Sequence, residues 1–385
     1  MHQNIKLLSW FSFFIDFRFY APVAILYFAE ISGSFALGMS VFSIVTISSA
    51  FLEVPTGIFS DRIGRHRTLI LGSFAGLLSM VFYAIGESFL ILVIGSLFQG
   101  LATAFYSGNN DALIHDSLSE NNEEARFGEF YGKMGKMSQI ALGISAALGV
   151  VLLLIGSYSL LVWLSIIPQV ICFLIAFFVK EPNVHSNRSG NIYNHLKEAF
   201  LGFKHNPKLR LISLSSIMGY GFGEANYQFQ AAVYSMVWPA WAIPIAKIFS
   251  NFGAALSFHF SHRSIKKFGE LKMLVIGNVY ARIATSLGAV YPTIFTPIIM
   301  STTSLFLGST VVAKNSIMQK EFKQEQRATM GSLESFAGSL FFGLVAFSLG
   351  LLADKLSPAM AILILQGFQL SNLIVFYKFS KLHKN

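Results

Sequence analysis

Seven ionisable side chains, Asp16, Arg18, Glu53, Glu224, Lys247, Arg282 and Glu334, lie inside long apolar runs of the 385-residue chain. In a hydrocarbon core each costs about 2.5–3.5 kcal/mol on insertion scales. They are therefore expected to face a hydrated cavity or to pair across helices, and acids held there are natural proton or cation carriers. Asp16 and Tyr20 stand four residues apart, which on a continuous helix puts them on one face, with Arg18 about 200° away from Asp16. Arg18 can contact an anionic solute or sit in a fixed ion pair. Glu224 and Asn226 belong to MGYGFGEANYQFQ, Met218 to Gln230, where glycines and amides are expected to interrupt a helix, as at many transporter binding sites. Asp16, Arg18, Tyr20, Glu224, Asn226, Arg282 and Glu334 make up the expected substrate or proton pathway. Glu53, two residues before Pro55, is expected to pair structurally near a gate. No His or acidic cluster has metal-ligand spacing, and no phosphate-binding Gly-x-x-x-x-Gly-Lys loop occurs. No catalytic group, cofactor or metal is expected. A lipid-modifying membrane enzyme would have to be built from Asp111, His115 and Asp116, the sole convergent group near one helix end.

The elements that position these residues follow from composition. Hydrophobic residues make up 54% of the chain and charged residues 12%, against about 25% charged in soluble domains. The apolar runs have the length of roughly 20 residues needed to cross a bilayer, so the fold class is all-α and polytopic. Twelve spans are expected, near 6–28, 37–59, 68–87, 89–112, 136–156, 158–179, 209–235, 239–261, 271–290, 292–313, 328–352 and 357–378. With twelve, every one of the 28 Lys and Arg residues except Arg18, Lys247, Arg282 and Lys355 falls on one side, at the termini and even-numbered connections. By the positive-inside rule that side, with both termini, is cytoplasmic. The net charge of +9 is thereby explained as topogenic, and nucleic-acid binding is not expected. The first run is too long for a signal peptide and has no small-residue cleavage site; it reads as the first span. Cys172 alone offers neither a disulfide nor a cysteine metal site.

The polar stretch after Lys180 divides six spans from six. It predicts an N-terminal bundle over 1–180, a cytoplasmic linker over 181–208 and a C-terminal bundle over 209–385. An amphipathic surface helix is expected from Tyr193 to His205. A weak internal repeat links GIFSDRIGRHRTL, Gly57 to Leu69, with SFHFSHRSIKKFGELKML, Ser257 to Leu274, at the same point of two six-span units.

Gly57, Asp61, Arg62, Gly64, Arg65 and Arg67 together resemble the signature between the second and third spans of the major facilitator superfamily. Chemically, Gly57 allows helices to approach, Gly64 permits a tight reversal, and Asp61 can meet helix amides or arginines. FLEVPTG, Phe51 to Gly57, and SGNNDALIHDSL, Ser107 to Leu118, are similar to a bacterial branch linked to drug or metabolite efflux. The resemblance implies two pseudo-symmetric six-helix bundles and a conformational gate at the signature, with Asp116, or alternatively Asp111, meeting Arg65. It also implies that RATMGSLESFAGSLFFG, Arg327 to Gly343, opens the helix against which the family docks the signature aspartate. The fifth span departs from the drug:proton antiporter branch, since it lacks that branch's glycine-proline motif.

The expected function is secondary active transport of a small organic solute by alternating access, with proton-coupled efflux ahead of nutrient uptake. The expected partners are that solute, a proton or other coupling ion, and the bilayer of a bacterial inner membrane, with the chain acting as a monomer. A non-transporting sensor on the same fold is the reading from another class.

Overall fold

The computed structural model describes residues 3–120, 122–182, 206–321 and 327–384, and among them there is helix but no strand. The expected amphipathic helix over 193–205 and most of the expected linker lie outside the described residues. The helices are α1 Gln3–Asp16, α2 Ala24–Ser32, α3 Phe35–Ile63, α4 Arg65–Ile85, α5 Phe89–Tyr106, α6 Asn109–Ser119, α7 Phe127–Ile155 and α8 Tyr158–Phe178. They continue with α9 Pro207–Tyr234, α10 Ile243–Phe268, α11 Glu270–Val290, α12 Thr296–Ser301, α13 Leu307–Glu321, α14 Arg327–Lys355, α15 Pro358–Gln369 and α16 Ser371–Lys384. Taken along the chain they form twelve rods among the described residues. Ten are long and apolar enough to cross a membrane. The other two, α9 and α10, are 28 and 26 residues long but more polar.

The chain divides into two compact units, residues 1–33 with 40–188, and residues 34–39 with 189–385. In the first unit α4 packs on α5 and α8, and α1 on α7 and α8, around Ile5, Leu8, Phe11, Leu69, Leu113 and Cys172. In the second, α9 packs on α14 and α16, and α11 on α13 and α15, around Leu209, Ile212, Met273, Leu274 and Phe376. Leu90, Ile155, Leu287, Leu344 and Phe368 point outward, as lipid-facing residues must. Many inward serines and threonines return their hydroxyls to a carbonyl one turn back, as Ser96 does to Leu92 and Ser165 to Leu161, which satisfies those hydroxyls within the helix itself.

The internal repeat is visible as geometry. Gly64 (φ 97°, ψ 156°) and Gly269 (φ 82°, ψ 155°) share a backbone conformation open essentially to glycine alone, and each is followed by a 21-residue helix. Eight residues into each helix sits another glycine without room for a side chain. A Cβ at Gly72 would lie 2.8 Å from the Tyr106 ring, and one at Gly277 2.3 Å from Thr310 Cγ2. Close helix contact is thus built at corresponding places in both units.

Two expected elements differ. The first span is not continuous: α1 stops at Asp16, a 3₁₀ turn covers Ala21–Val23, and α2 begins at Ala24. Pro22 lacks an amide hydrogen and disfavours a helical Ala21. Side chains of α8 take over the freed backbone, with the Phe19 amide donating to Ser165 Oγ at 3.0 Å and Gln169 Nε2 to the Ile15 carbonyl at 3.3 Å. Asp16 and Tyr20 therefore do not share a helical face. Conversely, the glycine-rich run Met218–Gln230 does not interrupt its helix, because α9 runs unbroken. Gly221 serves packing instead, since a Cβ there would meet Phe341 and the Phe342 amide, whereas Gly223 leaves open space.

Candidate functional site

The turn between α3 and α4 brings the signature residues together. Arg65 lies 3.2 Å from Asp61, one helical turn back, and within 3.4 Å of Ser60 Oγ. Ser60 donates to Asn109 Oδ1 (2.9 Å), and Asn109 Nδ2 donates to the Arg65 carbonyl (3.2 Å), tying the turn to the start of α6. The structure corrects the expected partner of Arg65. Asp116 is buried beside its neighbour His115, 3.4 Å away, and Asp111 is exposed in the first turn of α6. A helix break at Gly108 (φ 70°) separates α6 from α5, and the ion pair that Arg65 forms is with Asp61. Gly57 is corrected too, since a Cβ there would have nothing within 4 Å. Arg62 and Arg67 are exposed. Glu53 accepts from Ser107 Oγ at 2.9 Å.

Sequence reading missed Glu181. Its two oxygens accept from the Arg65 amide (2.7 Å) and the His66 amide (2.6 Å), capping α4 where the helix offers unpaired donors and the positive end of its dipole. This fits only because residue 64 has no Cβ, which would sit 2.9 Å from Glu181 Oε2. The signal was there in part: an acid at the close of the first six spans, with no other work, and a glycine in the turn.

The break between α1 and α2 gathers Asp16, Arg18 and Tyr20. Arg18 Nε donates to the Ile15 carbonyl at 3.0 Å, and the neighbours in its field are Tyr20, Asp16, Tyr83 and Tyr106. The hydroxyl of Tyr106 is buried without a partner. Because the chain leaves the helix here, Arg18 lies within electrostatic reach of both Asp16 and Tyr20.

The second unit holds a cavity of about 280 Å³ lined by faces of α9, α10, α11, α13, α16 and the 302–306 turn. Its polar lining includes Asn226, Asn251, Asn278, Arg282 and Lys314. Asn278, Arg282 and Thr285 recur at helical spacing along one side of α11, and Thr303, Thr310 and Lys314 come from the opposing wall. Arg282 Nε is buried and makes no hydrogen bond. Asn226 accepts from Gln366 Nε2 at 3.2 Å. Lys314, assigned by its place in the sequence to a cytoplasmic connection, is instead within α13 and lines this cavity. The apolar run before it ends early, but the helix does not.

The remaining expected charges are not in the cavity lining. Glu224 accepts from Gln228 Nε2 on its own helix (2.7 Å). Glu334 is 6% exposed, close to Ser213 and Ser216, with Oε1 lacking a partner, and lies within electrostatic reach of Lys314. Lys247 is fixed: its ammonium donates to the Tyr227 carbonyl (2.8 Å) and stands 3.6 Å over the Tyr227 ring.

Two repeated helical units, with a signature turn in one and a polar cavity in the other, define a polytopic α-helical membrane protein. The profile of the Major Facilitator Superfamily matches residues 7–346, and the chain belongs to that superfamily. An uncharacterised MFS-type transporter of Methanocaldococcus jannaschii is 33% identical over 102 residues, 26% of this chain and 25% of that protein. A Na⁺, Li⁺, K⁺/H⁺ antiporter of Planococcus maritimus is 26% identical over 187 residues, 47% of this chain and 43% of the antiporter. The chain thus aligns with less than half the length of these relatives. The fold is similar to that of nucleoside transporter NupG, with a TM-score of 0.81, full coverage of both chains and 14% identity. It is also similar to a bacterial homologue of the human lysosomal transporter Spinster, with a TM-score of 0.76, 98% and 96% coverage, and 14% identity.

Proposed function

We propose that this protein is a secondary transporter that carries a small organic solute across a bacterial inner membrane by alternating access. The observation that carries the reading is the polar cavity inside an apolar bundle of this superfamily, with an unpartnered arginine in its wall. Desolvating a guanidinium in a bilayer is costly, and a stable protein keeps one there for a ligand. The signature turn, in which Asp61 and Arg65 form an ion pair over a glycine-only backbone, is the conformational gate of this proposal.

Proton coupling is the proposed energy source, carried by acids inside the helical units. Glu334, with an oxygen lacking a partner and Lys314 nearby, and Asp16 beside Arg18 are the proposed proton carriers. Efflux of a metabolite is the proposed direction, supported by the similarity of the 51–57 and 107–118 segments to an efflux branch. The antiporter relative raises a second reading, alkali-cation exchange, but the charged residues lining the cavity are Arg282 and Lys314, which repel a cation. The concentration of basic residues in one set of connections supports cytoplasmic termini.

The test is proton movement in proteoliposomes on addition of candidate solutes, with Asp16→Asn and Glu334→Gln beside the parent protein. A solute-dependent proton signal lost in one variant supports coupled transport and names the acid. Solute flux with no proton movement in any of the three eliminates proton coupling.

A further inference from the structure

Building on the transporter reading, we infer that the cavity of the second unit is a binding site for a small hydroxylated organic anion, with Arg282 as the group that takes its carboxylate.

The sign of the charge comes from the lining. Around the cavity the titratable side chains are Arg282 and Lys314, with Tyr227, and no carboxylate is among the lining residues described. The nearest acids are otherwise engaged or set back. Glu224 accepts from Gln228, and Glu334, which is not in the lining, is the acid in the field of Lys314. No acid appears in the electrostatic surroundings of Arg282, and its Nε is buried with no acceptor. A guanidinium presents planar paired donors that match a carboxylate, so an unpaired one facing a preformed space asks for that partner. Lys247 cannot answer for it, since its ammonium is already committed to Tyr227 and Gln230.

The rest of the ligand is read from the neighbours. Asn226, Asn251, Thr285 and Thr310 contribute amides and hydroxyls to the same lining, while Phe306 and Phe376 close part of it with apolar surface. Asn226 has its carbonyl oxygen occupied by Gln366, so its amide hydrogens remain as donors. Such a surface suits hydroxyl groups on a compact skeleton. Small-molecule pockets run from about 300 to 1,000 Å³, and about 280 Å³ lies at the lower edge of that range. The ligand is accordingly of metabolite size rather than a bulky amphipathic drug.

Isothermal titration calorimetry on the full-length protein in detergent tests this, with gluconate and 4-hydroxybenzoate each matched against its primary amide. The expected result is saturable binding of at least one acid, its amide about 10- to 100-fold weaker, the range a charge-assisted hydrogen bond supplies. Arg282→Gln is expected to lose that preference for acid over amide, while Arg282→Lys, which keeps the charge, retains part of it. Thermal unfolding of both variants confirms that the fold persists. Equal binding of acid and amide, acid binding unaltered in Arg282→Gln, or no binding by either acid overturns the inference. The transporter reading fails separately: binding without flux in proteoliposomes removes transport and leaves the anion site, whereas flux of a neutral or cationic solute independent of Arg282 removes the anion site and leaves transport.

Discussion

Substituting alanine at Gly64 and at Gly269 should have unequal costs, and the difference isolates one contact. Both glycines occupy nearly the same backbone conformation, φ 97° against 82° and ψ 156° against 155°, where a side chain costs about 1–3 kcal/mol. That part of the penalty is common to the two sites. At Gly269 a Cβ meets nothing within 4 Å, so backbone strain is the whole effect. At Gly64 the Cβ would stand 2.9 Å from Glu181 Oε2 and 3.0 Å from its carboxyl carbon. The glutamate is flexible and exposed and will swing away, forfeiting its bonds to the Arg65 and His66 amides. A helix cap of this kind is worth about 1 kcal/mol. Gly64→Ala should therefore exceed Gly269→Ala by about 1 kcal/mol, and the excess should vanish in a Glu181→Ala background, because there is no cap left to displace. SDS unfolding titrations followed by tryptophan fluorescence give the four free energies needed for the cycle. Additive effects of Gly64→Ala and Glu181→Ala would refute the argument, since they would mean that the carboxylate is not competing for the space above residue 64.

Other expectations follow from the same contacts. Lys247→Met should lower stability by about 1–2 kcal/mol through loss of a buried hydrogen bond and a cation–π contact, measured by the same titration, while leaving the acid-over-amide preference in calorimetry unchanged. Gly277→Val should destabilise the second unit by about 2 kcal/mol or more, because the added carbons overlap Thr310, whereas Gly223→Ala, mid-helix and facing open space, should be neutral or stabilise by up to about 1 kcal/mol. Asp61→Asn should abolish solute flux with little loss of folded protein, whereas Asp116→Asn, whose carboxylate does not reach Arg65, should retain most of the flux rate.

The fold was legible because hydrophobic length and the placement of basic residues are global properties that local irregularities do not disturb. The twelve rods agree with the expected spans, although α7 begins at Phe127 and α10 runs on to Phe268. Polar residues such as Lys133 or Lys266 extend a helix beyond an apolar run without any signal in hydropathy. The same blindness put Lys314 in a connection. The site was legible by residue type and less so by geometry. Arg282 and Asn226 line one cavity, but the break at Asp16–Val23 and the continuity of α9 reversed two local expectations. Proline and glycine have different consequences according to which neighbours satisfy the backbone, and here Ser165 and Gln169 made the difference. Glu181 could not be placed from sequence, because its bond to α4 joins residues 116 and 115 positions apart.

Counterflow in proteoliposomes tests the central claim most directly, because it requires alternating access but no knowledge of the coupling ion. Vesicles holding the purified protein are loaded with an unlabelled carboxylate from the binding panel and diluted into a trace of the labelled compound. The account predicts transient accumulation of label inside, absent in protein-free vesicles and lost in both Asp61→Asn and Arg282→Gln. Label that never rises above equilibrium for any acid that binds would contradict transport of the bound anion by this protein.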